Sequence, residues 1–217
     1  MAQVFSPWMN PIGRALLVGL LASPFALVGV GLAVVRSDFY TGAQATVEQP
    51  IPFSHKHHVG DVGIDCRYCH YSVERSAFAG IPDTQTCMTC HSQVWKNAAL
   101  LEPVRASLRT GEPLHWVQVH NLPDYVYFSH RIHVARGVGC ETCHGRVDQM
   151  PLMRPVRAWH MQDCLECHRD PGPNLRPADA VFTMGFSPRA DGPSPDELVT
   201  RYRIDVEPLR DCTICHR

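Results

Sequence analysis

The feature that most constrains this chain is a short motif that occurs five times. All ten cysteines of the 217 residues fall in pairs with the spacing Cys-x-x-Cys, and a histidine follows each pair directly. The pairs are Cys66/Cys69, Cys87/Cys90, Cys140/Cys143, Cys164/Cys167 and Cys212/Cys215, and the histidines are His70, His91, His144, His168 and His216. On a short helical turn, residues i, i+3 and i+4 lie on one face. Each motif therefore presents two thiols and one imidazole together.

Two thiols and an imidazole in this arrangement suit covalent attachment of haem. The thiols can form thioethers to the two vinyl groups, while the imidazole ligates the iron from the same side. Structural zinc also uses Cys-x-x-Cys, and ten cysteines could form five disulfides in an exported protein. Neither alternative explains a histidine after every pair. The sequence therefore predicts five covalently bound haem c groups (iron).

The remaining histidines are candidates for the second axial position on each iron. They are His55, His57, His58, His115, His120, His130, His133 and His160. The pattern Phe-Ser-His-x-x-His occurs at 53–58 and again at 128–133. We expect His55, His58, His130 and His133 to be distal ligands, each pair on one short helix. One imidazole of a pair then serves the next haem in sequence and the other serves a neighbouring haem, which packs the haems closely.

The fifth distal ligand is less clearly indicated by the pattern. We favour His120, with Met150 and Met161 as rivals, because a methionine ligand would raise the potential of that haem. The alternative for Met150, Met153 and Met161 is packing against a haem face. The alternative for His57, His115 and His160 is an exposed or hydrogen-bonded side chain.

An apolar segment near the N-terminus predicts one membrane anchor. Residues 15–35 contain no charge and are bounded by Arg14 and Arg36. Twenty-one helical residues span about 30 Å, the hydrocarbon thickness of a bilayer. A cleaved signal peptide is the alternative, since "AQA" at 43–45 resembles a cleavage site, but the apolar stretch is longer than usual for one. We expect a single pass through the cytoplasmic membrane, with the haem domain on the periplasmic (exported) side, where haem attachment takes place.

The rest of the chain predicts an interior filled by cofactors rather than by apolar side chains. The expected fold is mainly short α-helices and loops wrapped around five c-type haems, with little β-structure. Residues 92–111 have a helical pattern, and the seven prolines within 171–211 favour an extended segment. The predicted divisions are a cytoplasmic N-terminus (1–14), the transmembrane anchor (15–35), a linker (36–52), a first dihaem module (53–100), a connecting segment (101–127), a second dihaem module (128–170) and a Pro-rich segment ending in the fifth haem site (171–217).

Longer motifs in this chain resemble one known family. The anchor, the five haem motifs, "WVQVHNLPDYVYFSH" at 116–130 and "MQDCLECHRDP" at 161–171 are similar to the pentahaem cytochrome c subunit of alternative complex III. The resemblance implies a respiratory or photosynthetic membrane complex that oxidises quinol. It also implies an iron–sulfur protein, polytopic quinol-binding subunits and a monohaem cytochrome c as partners. Electrons would leave to a periplasmic acceptor (a cytochrome c or copper protein) or to an oxidase.

These observations favour an electron-transfer subunit over an enzyme. Haems with two axial ligands leave no open iron position for a substrate, and a single membrane helix encloses no quinol pocket. The alternative is a NapC/NrfH-type quinol dehydrogenase with its own quinol site. A reductase of nitrite or hydroxylamine would need a five-coordinate haem. The formal net charge of −1 gives no electrostatic case for nucleic acid as a partner.

Overall fold

The computed structural model describes residues 6–188 and 192–216. Its contacts divide the chain into two units, Met1–Ala43 and Gln44–Arg217. The first unit holds helix α1 (Met9–Arg36) and the short helix α2 (Asp38–Thr41). The second unit holds every Cys-x-x-Cys-His motif and every candidate distal ligand.

Helix α1 contains the predicted apolar segment and begins six residues before it. Its 28 residues make a helix about 42 Å long, none of whose residues is buried by the protein, and it is long and apolar enough to cross a bilayer. Pro24 lies inside the helix and has no N–H to donate to the carbonyl of Leu20. The hydroxyl of Ser23 donates to that carbonyl instead, at 2.9 Å. This hydrogen bond satisfies the carbonyl that the proline leaves without its usual helical donor.

The second unit consists of short helices joined by loops. Its α-helices are α3 (Cys66–Cys69), α4 (Thr84–His91), α5 (Glu102–Thr110), α6 (His130–Ala135), α7 (Cys140–His144), α8 (Met161–Arg169), α9 (Pro195–Arg201) and α10 (Cys212–Cys215). A π-helix spans Lys56–Asp61. Single 3₁₀ turns occur at Ala99–Leu101, Val147–Gln149, Gly172–Asn174, Ala178–Ala180 and Pro208–Arg210.

Three of the five helices that carry the motifs have a side-chain hydrogen bond at their N-terminus. The carboxylate of Asp65 accepts from the backbone N–H of Arg67 at the start of α3, and Asp83 accepts from Thr86 at the start of α4. In α8, Asp163 accepts from the backbone N–H of His160. A capped turn satisfies N–H groups that a four- to nine-residue helix cannot pair internally. In the sites on α3, α4 and α8 these caps thus help to set where the helix that carries the cysteine pair starts.

Apolar side chains build only a small core. Ile51, Leu101 and Val104 form one buried cluster, packed against Cys87 and Trp116. No large side chain in the described part of the chain is less than 2% exposed. Apolar side chains alone therefore do not fill the interior, as expected for a chain with five predicted haem sites.

The observed fold is mostly helices and loops, which confirms the predicted fold class. No strand occurs within residues 6–188 and 192–216, where an isolated bridge joins Val138 to Leu175. The helical pattern at 92–111 yields a helix only from Glu102, because Pro103 fits the first turn of a helix and not its interior. The Pro-rich segment is less extended than expected, since it contains α9.

Candidate haem sites

We number the five motifs as sites 1 to 5 in chain order. In each site one helical turn carries both cysteines, and the histidine ends that turn or follows it. All ten thiols are free, so the disulfide alternative is not what the structure shows. No group of three or more potential metal ligands converges within the described residues. Burial, and to a smaller extent the neighbouring Cys167, raises the pKa of the Cys143 thiol to about 11.

Four of the five motif histidines face a second histidine ring. The ring-centre distances and interplanar angles are 6.5 Å and 4° for His55–His70, 6.1 Å and 66° for His58–His91, 6.2 Å and 8° for His130–His144, and 6.1 Å and 26° for His133–His168. A metal–imidazole nitrogen bond is about 2 Å long, so two imidazoles on opposite sides of one metal have ring centres about 6 Å apart. The gaps in sites 1 to 4 therefore fit one iron each.

Backbone carbonyls orient most of these rings. Nδ1 of His70 lies 2.7 Å from the carbonyl oxygen of Gly80, and Nδ1 of His130 lies 2.8 Å from that of Ala77. Equivalent contacts of 2.8–3.1 Å hold His58, His91, His133, His168 and His216. A carbonyl can only accept, so Nδ1 must carry the proton. Nε2 is then left with its lone pair free for a metal.

Two phenylalanines hold the paired histidines in the same way in both repeats. Phe53 stacks on His58, with ring centres 4.4 Å apart, and meets His55 edge-on at 4.9 Å. Phe128 stacks on His133, with ring centres 4.5 Å apart, and meets the first histidine of the second repeat edge-on at 4.8 Å. One aromatic ring thus sets the angle between two imidazoles three residues apart. The sequence contained the signal, since phenylalanine opens both repeats, but its role was not predicted.

Burial keeps the imidazoles of His55 and His144 neutral. Desolvation and the neighbouring His120 lower the pKa of His144 to about 3. Desolvation and the facing His70 lower that of His55 to about 4. Neutral imidazole is the form that ligates a metal. Nδ1 of His55 is buried without a partner within the described residues.

Site 5 has a different surrounding. The ring of His216 lies against that of Tyr125, with centres 5.8 Å apart and planes at 30°. The candidates for its second ligand lie elsewhere: the ring of His120 is 4.5 Å from that of His144 and perpendicular to it. Met150 is 3% exposed, and its Cε lies 3.5 Å from where a Cβ on Gly145 would be. The structure therefore brings both candidates to site 3, and Nε2 of His120 is buried there without a described partner.

The other candidates occupy surface positions. Met161 is 64% exposed at the start of α8. His57 is exposed, 3.5 Å from the carboxylate of Asp61, and its ring stacks on Trp95. His115 and His160 are also exposed.

Comparisons with known proteins agree with this geometry. A family model described as "Cytochrome c7 and related cytochrome c" matches residues 126–217, and one described as "Class III cytochrome C family" matches 34–107. The chain is 38% identical over 126 residues to a protein of Nitratidesulfovibrio vulgaris (strain Hildenborough) named "Menaquinone reductase, multiheme cytochrome c subunit". That alignment covers 57% of this chain and 59% of the relative's length.

The motifs, the facing imidazoles and these matches are those of multihaem c-type cytochromes. The relative's name places that protein, a multihaem cytochrome c subunit, in a menaquinone reductase.

Proposed function

We propose that the chain binds five haem c groups and relays electrons within a quinol-linked membrane complex. The single observation that carries the proposal is the set of four facing histidine pairs, each spaced for one iron and each including a Cys-x-x-Cys-His histidine. Covalent haem supplies iron that takes up and gives away one electron at a time. The chain's residues hold, orient and shield the five groups.

The role of the protein in this proposal is axial ligation and burial. The ten motif cysteines would carry thioethers, and the five motif histidines would ligate the proximal side. His55, His58, His130 and His133 would ligate the distal side of sites 1 to 4. Carbonyl acceptors on Nδ1 make an imidazole a stronger donor to a metal and thereby tune the reduction potential. Two imidazoles per iron leave no position for a substrate in these sites, which favours an electron-transfer subunit over a catalytic one.

The complex that we propose resembles alternative complex III. The partners would be an iron–sulfur protein, polytopic quinol-binding subunits and a monohaem cytochrome c. A periplasmic cytochrome c, a copper protein or an oxidase would accept the electrons. Helix α1 would remain as an uncleaved anchor, and the second unit would lie on the exported side of the cytoplasmic membrane.

A second candidate is the same relay used in the opposite direction. The relative from Nitratidesulfovibrio vulgaris is named a menaquinone reductase subunit, so in that protein's complex electrons reach a quinone. A chain of one-electron carriers conducts both ways, and its net direction follows the potentials of its partners. This chain would then accept electrons from a periplasmic donor and pass them to quinone-binding subunits.

The test is purification of the native complex from membranes of the source organism. We expect five haems per chain by alkaline pyridine absorbance and by intact mass, and polytopic subunits that co-purify. We also expect quinol to reduce the haems, or reduced haems to be oxidised by quinone. In the double variant Cys212→Ala/Cys215→Ala, one fifth of the haem should be lost. A chain of bare polypeptide mass, or one that purifies alone and does not react with quinol or quinone in reconstituted membranes, would refute the proposal.

A further inference from the structure

We propose that the five sites lie in the spatial order 2–1–3–4–5, so that sites 2 and 5 are the ends at which redox partners exchange electrons with the chain. The inference rests on the proposed function in one respect, that each site holds a haem. The order differs from the sequence order, and it follows from contacts between the attachment segments.

Sites 1 and 2 are neighbours because they share one turn of backbone. His55 faces the motif histidine of site 1, and His58, three residues later, faces that of site 2. The two motif helices also touch directly, since the hydroxyl of Tyr68 in α3 lies 2.7 Å from that of Thr89 in α4. The same argument joins sites 3 and 4, because His130 and His133 face their respective motif histidines from one turn of α6.

Sites 1 and 3 meet at their first cysteines. The backbone N–H of Cys140 donates to the carbonyl of Val181 at 3.2 Å, and Sγ of Cys66 lies 4.0 Å from the carbonyl oxygen of Phe182. Two consecutive residues of the Pro-rich segment thus hold both cysteines.

Two further contacts join the same pair of sites. Nδ1 of His130, which serves site 3, is held by the carbonyl of Ala77, seven residues after the motif histidine of site 1. On the other side, the π-helix that begins directly after His55, the histidine that faces site 1, packs on the turn Val147–Gln149, which follows the motif of site 3. There the N–H of Lys56 donates to the carbonyl of Met150 at 3.0 Å. The backbone beside the distal histidine of each site therefore packs against backbone that follows the motif of the other.

Sites 4 and 5 are joined through the turn before the last motif. Nδ1 of His168 lies 3.0 Å from the carbonyl oxygen of Leu209, three residues before Cys212. Helix α8 packs on the turn Pro208–Arg210, which leads directly into α10. Together these contacts give one unbranched order.

The exposure of the cysteines agrees with this order independently. Cys90 and Cys212 are exposed, and the other eight are only partly exposed. These two belong to sites 2 and 5, the two ends. A middle site is covered by its two neighbours, whereas an end site is covered on one side only.

The order determines where partners must approach. In the proposed function a quinol on a partner subunit gives up two electrons and two protons at one end and becomes a quinone. The haems carry the electrons one at a time, and the periplasmic acceptor is reduced at the other end, two molecules per quinol when each takes one electron. Sites 1, 3 and 4 then act as internal carriers. A partner cofactor that meets one of these sites directly is not expected.

The first experiment locates the irons in the wild-type holoprotein by anomalous X-ray scattering at the iron edge. We expect the shortest iron–iron separations to be 2–1, 1–3, 3–4 and 4–5, with the longest between 2 and 5. A site 2 iron nearest to that of site 3, or a site 5 iron in the middle of the array, would overturn the order. Fewer than five iron positions would count against the proposed haem number instead, so the two failures are distinguishable.

The second experiment uses Cys212→Ala/Cys215→Ala in the intact complex, with His115→Ala as a control at an exposed histidine outside the sites. With site 5 as an end, the four remaining irons keep their positions, and electron exchange with one partner, either donor or acceptor, falls at least tenfold. Reduction through the other partner continues. If both exchanges persist at the rate of the control, site 5 is not an end and the inference is wrong.

Discussion

The substitution His133→Gly tests whether a facing histidine ligates the iron of site 4. Its ring centre lies 6.1 Å from that of His168, and its Nδ1 donates to the carbonyl of Ser129 at 2.8 Å. This geometry fits one metal between two Nε2 atoms at about 2 Å each. Removal of the imidazole opens one axial position in one of five proposed sites. About one fifth of the haem should therefore change from low-spin to high-spin.

The measurement is quantitative electron paramagnetic resonance on the oxidised holoprotein, with optical spectra of the oxidised and reduced forms. The change should reverse when free imidazole is added, because the small ligand can occupy the space left by the side chain. A merely structural role would not give this reversal. The control is His115→Gly, at an exposed histidine outside every facing pair, which should leave the spin state unchanged. A folded His133→Gly protein with five low-spin haems before imidazole is added would refute the assignment.

Three other predictions concern stability and its pH dependence, and each is checked by chemical unfolding of the holoprotein. Gly60→Ala should cost about 1–3 kcal/mol, because its Cβ would lie within van der Waals overlap of the carbonyl oxygen of Asp148; an unchanged midpoint would contradict this close packing. Arg176→Met should cost about 3 kcal/mol, since the side chain is 9% exposed and its loss leaves the partly buried carboxylate of Glu141 with only a distant cation at 4.0 Å. Arg109→Met, with a 62% exposed side chain, should cost less than about 1 kcal/mol. The hydrogen-bonded fork from Arg146 holds the pKa of Asp148 below its ordinary value, so its stabilisation is complete above about pH 3.9 and is lost as the pH falls through the lower folded value. The wild-type midpoint should therefore fall more steeply below about pH 4 than that of Asp148→Asn, and parallel acid profiles would count against the ion pair.

The sequence predicted the parts of the site that depend on local spacing. The Cys-x-x-Cys-His motifs and the Phe-Ser-His-x-x-His repeats each lie within a few residues, and periodicity determines which side chains share a face. The prediction was that one histidine of a pair serves the next haem and the other a neighbouring haem, but it did not say that His55 faces site 1 and His58 faces site 2. The conformation of the segment that carries them was not predicted, because Lys56–Asp61 is a π-helix. Its wider winding brings Gly60 against the backbone of another segment, which is a long-range contact.

Other features could not be read from local patterns. Nothing in its neighbours shows that the ring of His120 lies beside His144, 24 residues further on, rather than opposite His216. Helix α9 is different, since its signal was present. Ser194 and Glu197 form a capping box with Pro195 in the first turn. The number of prolines in the surrounding segment obscured this start signal.

The Pro-rich segment after site 4 helps to explain why the two modules form one array. A shared histidine turn makes neighbours of sites 1 and 2, and of sites 3 and 4, and each of these turns also makes a contact with the other pair of sites. The segment 175–186 adds to these contacts, since Arg176 bonds to Gly137 and Thr183, and Val181 accepts from Cys140. Prolines limit the conformations of the unfolded segment, so less entropy is lost when it is laid over the junction. The segment is therefore more than a spacer to the fifth motif, because it is one of the parts of the chain that hold sites 1 and 3 together.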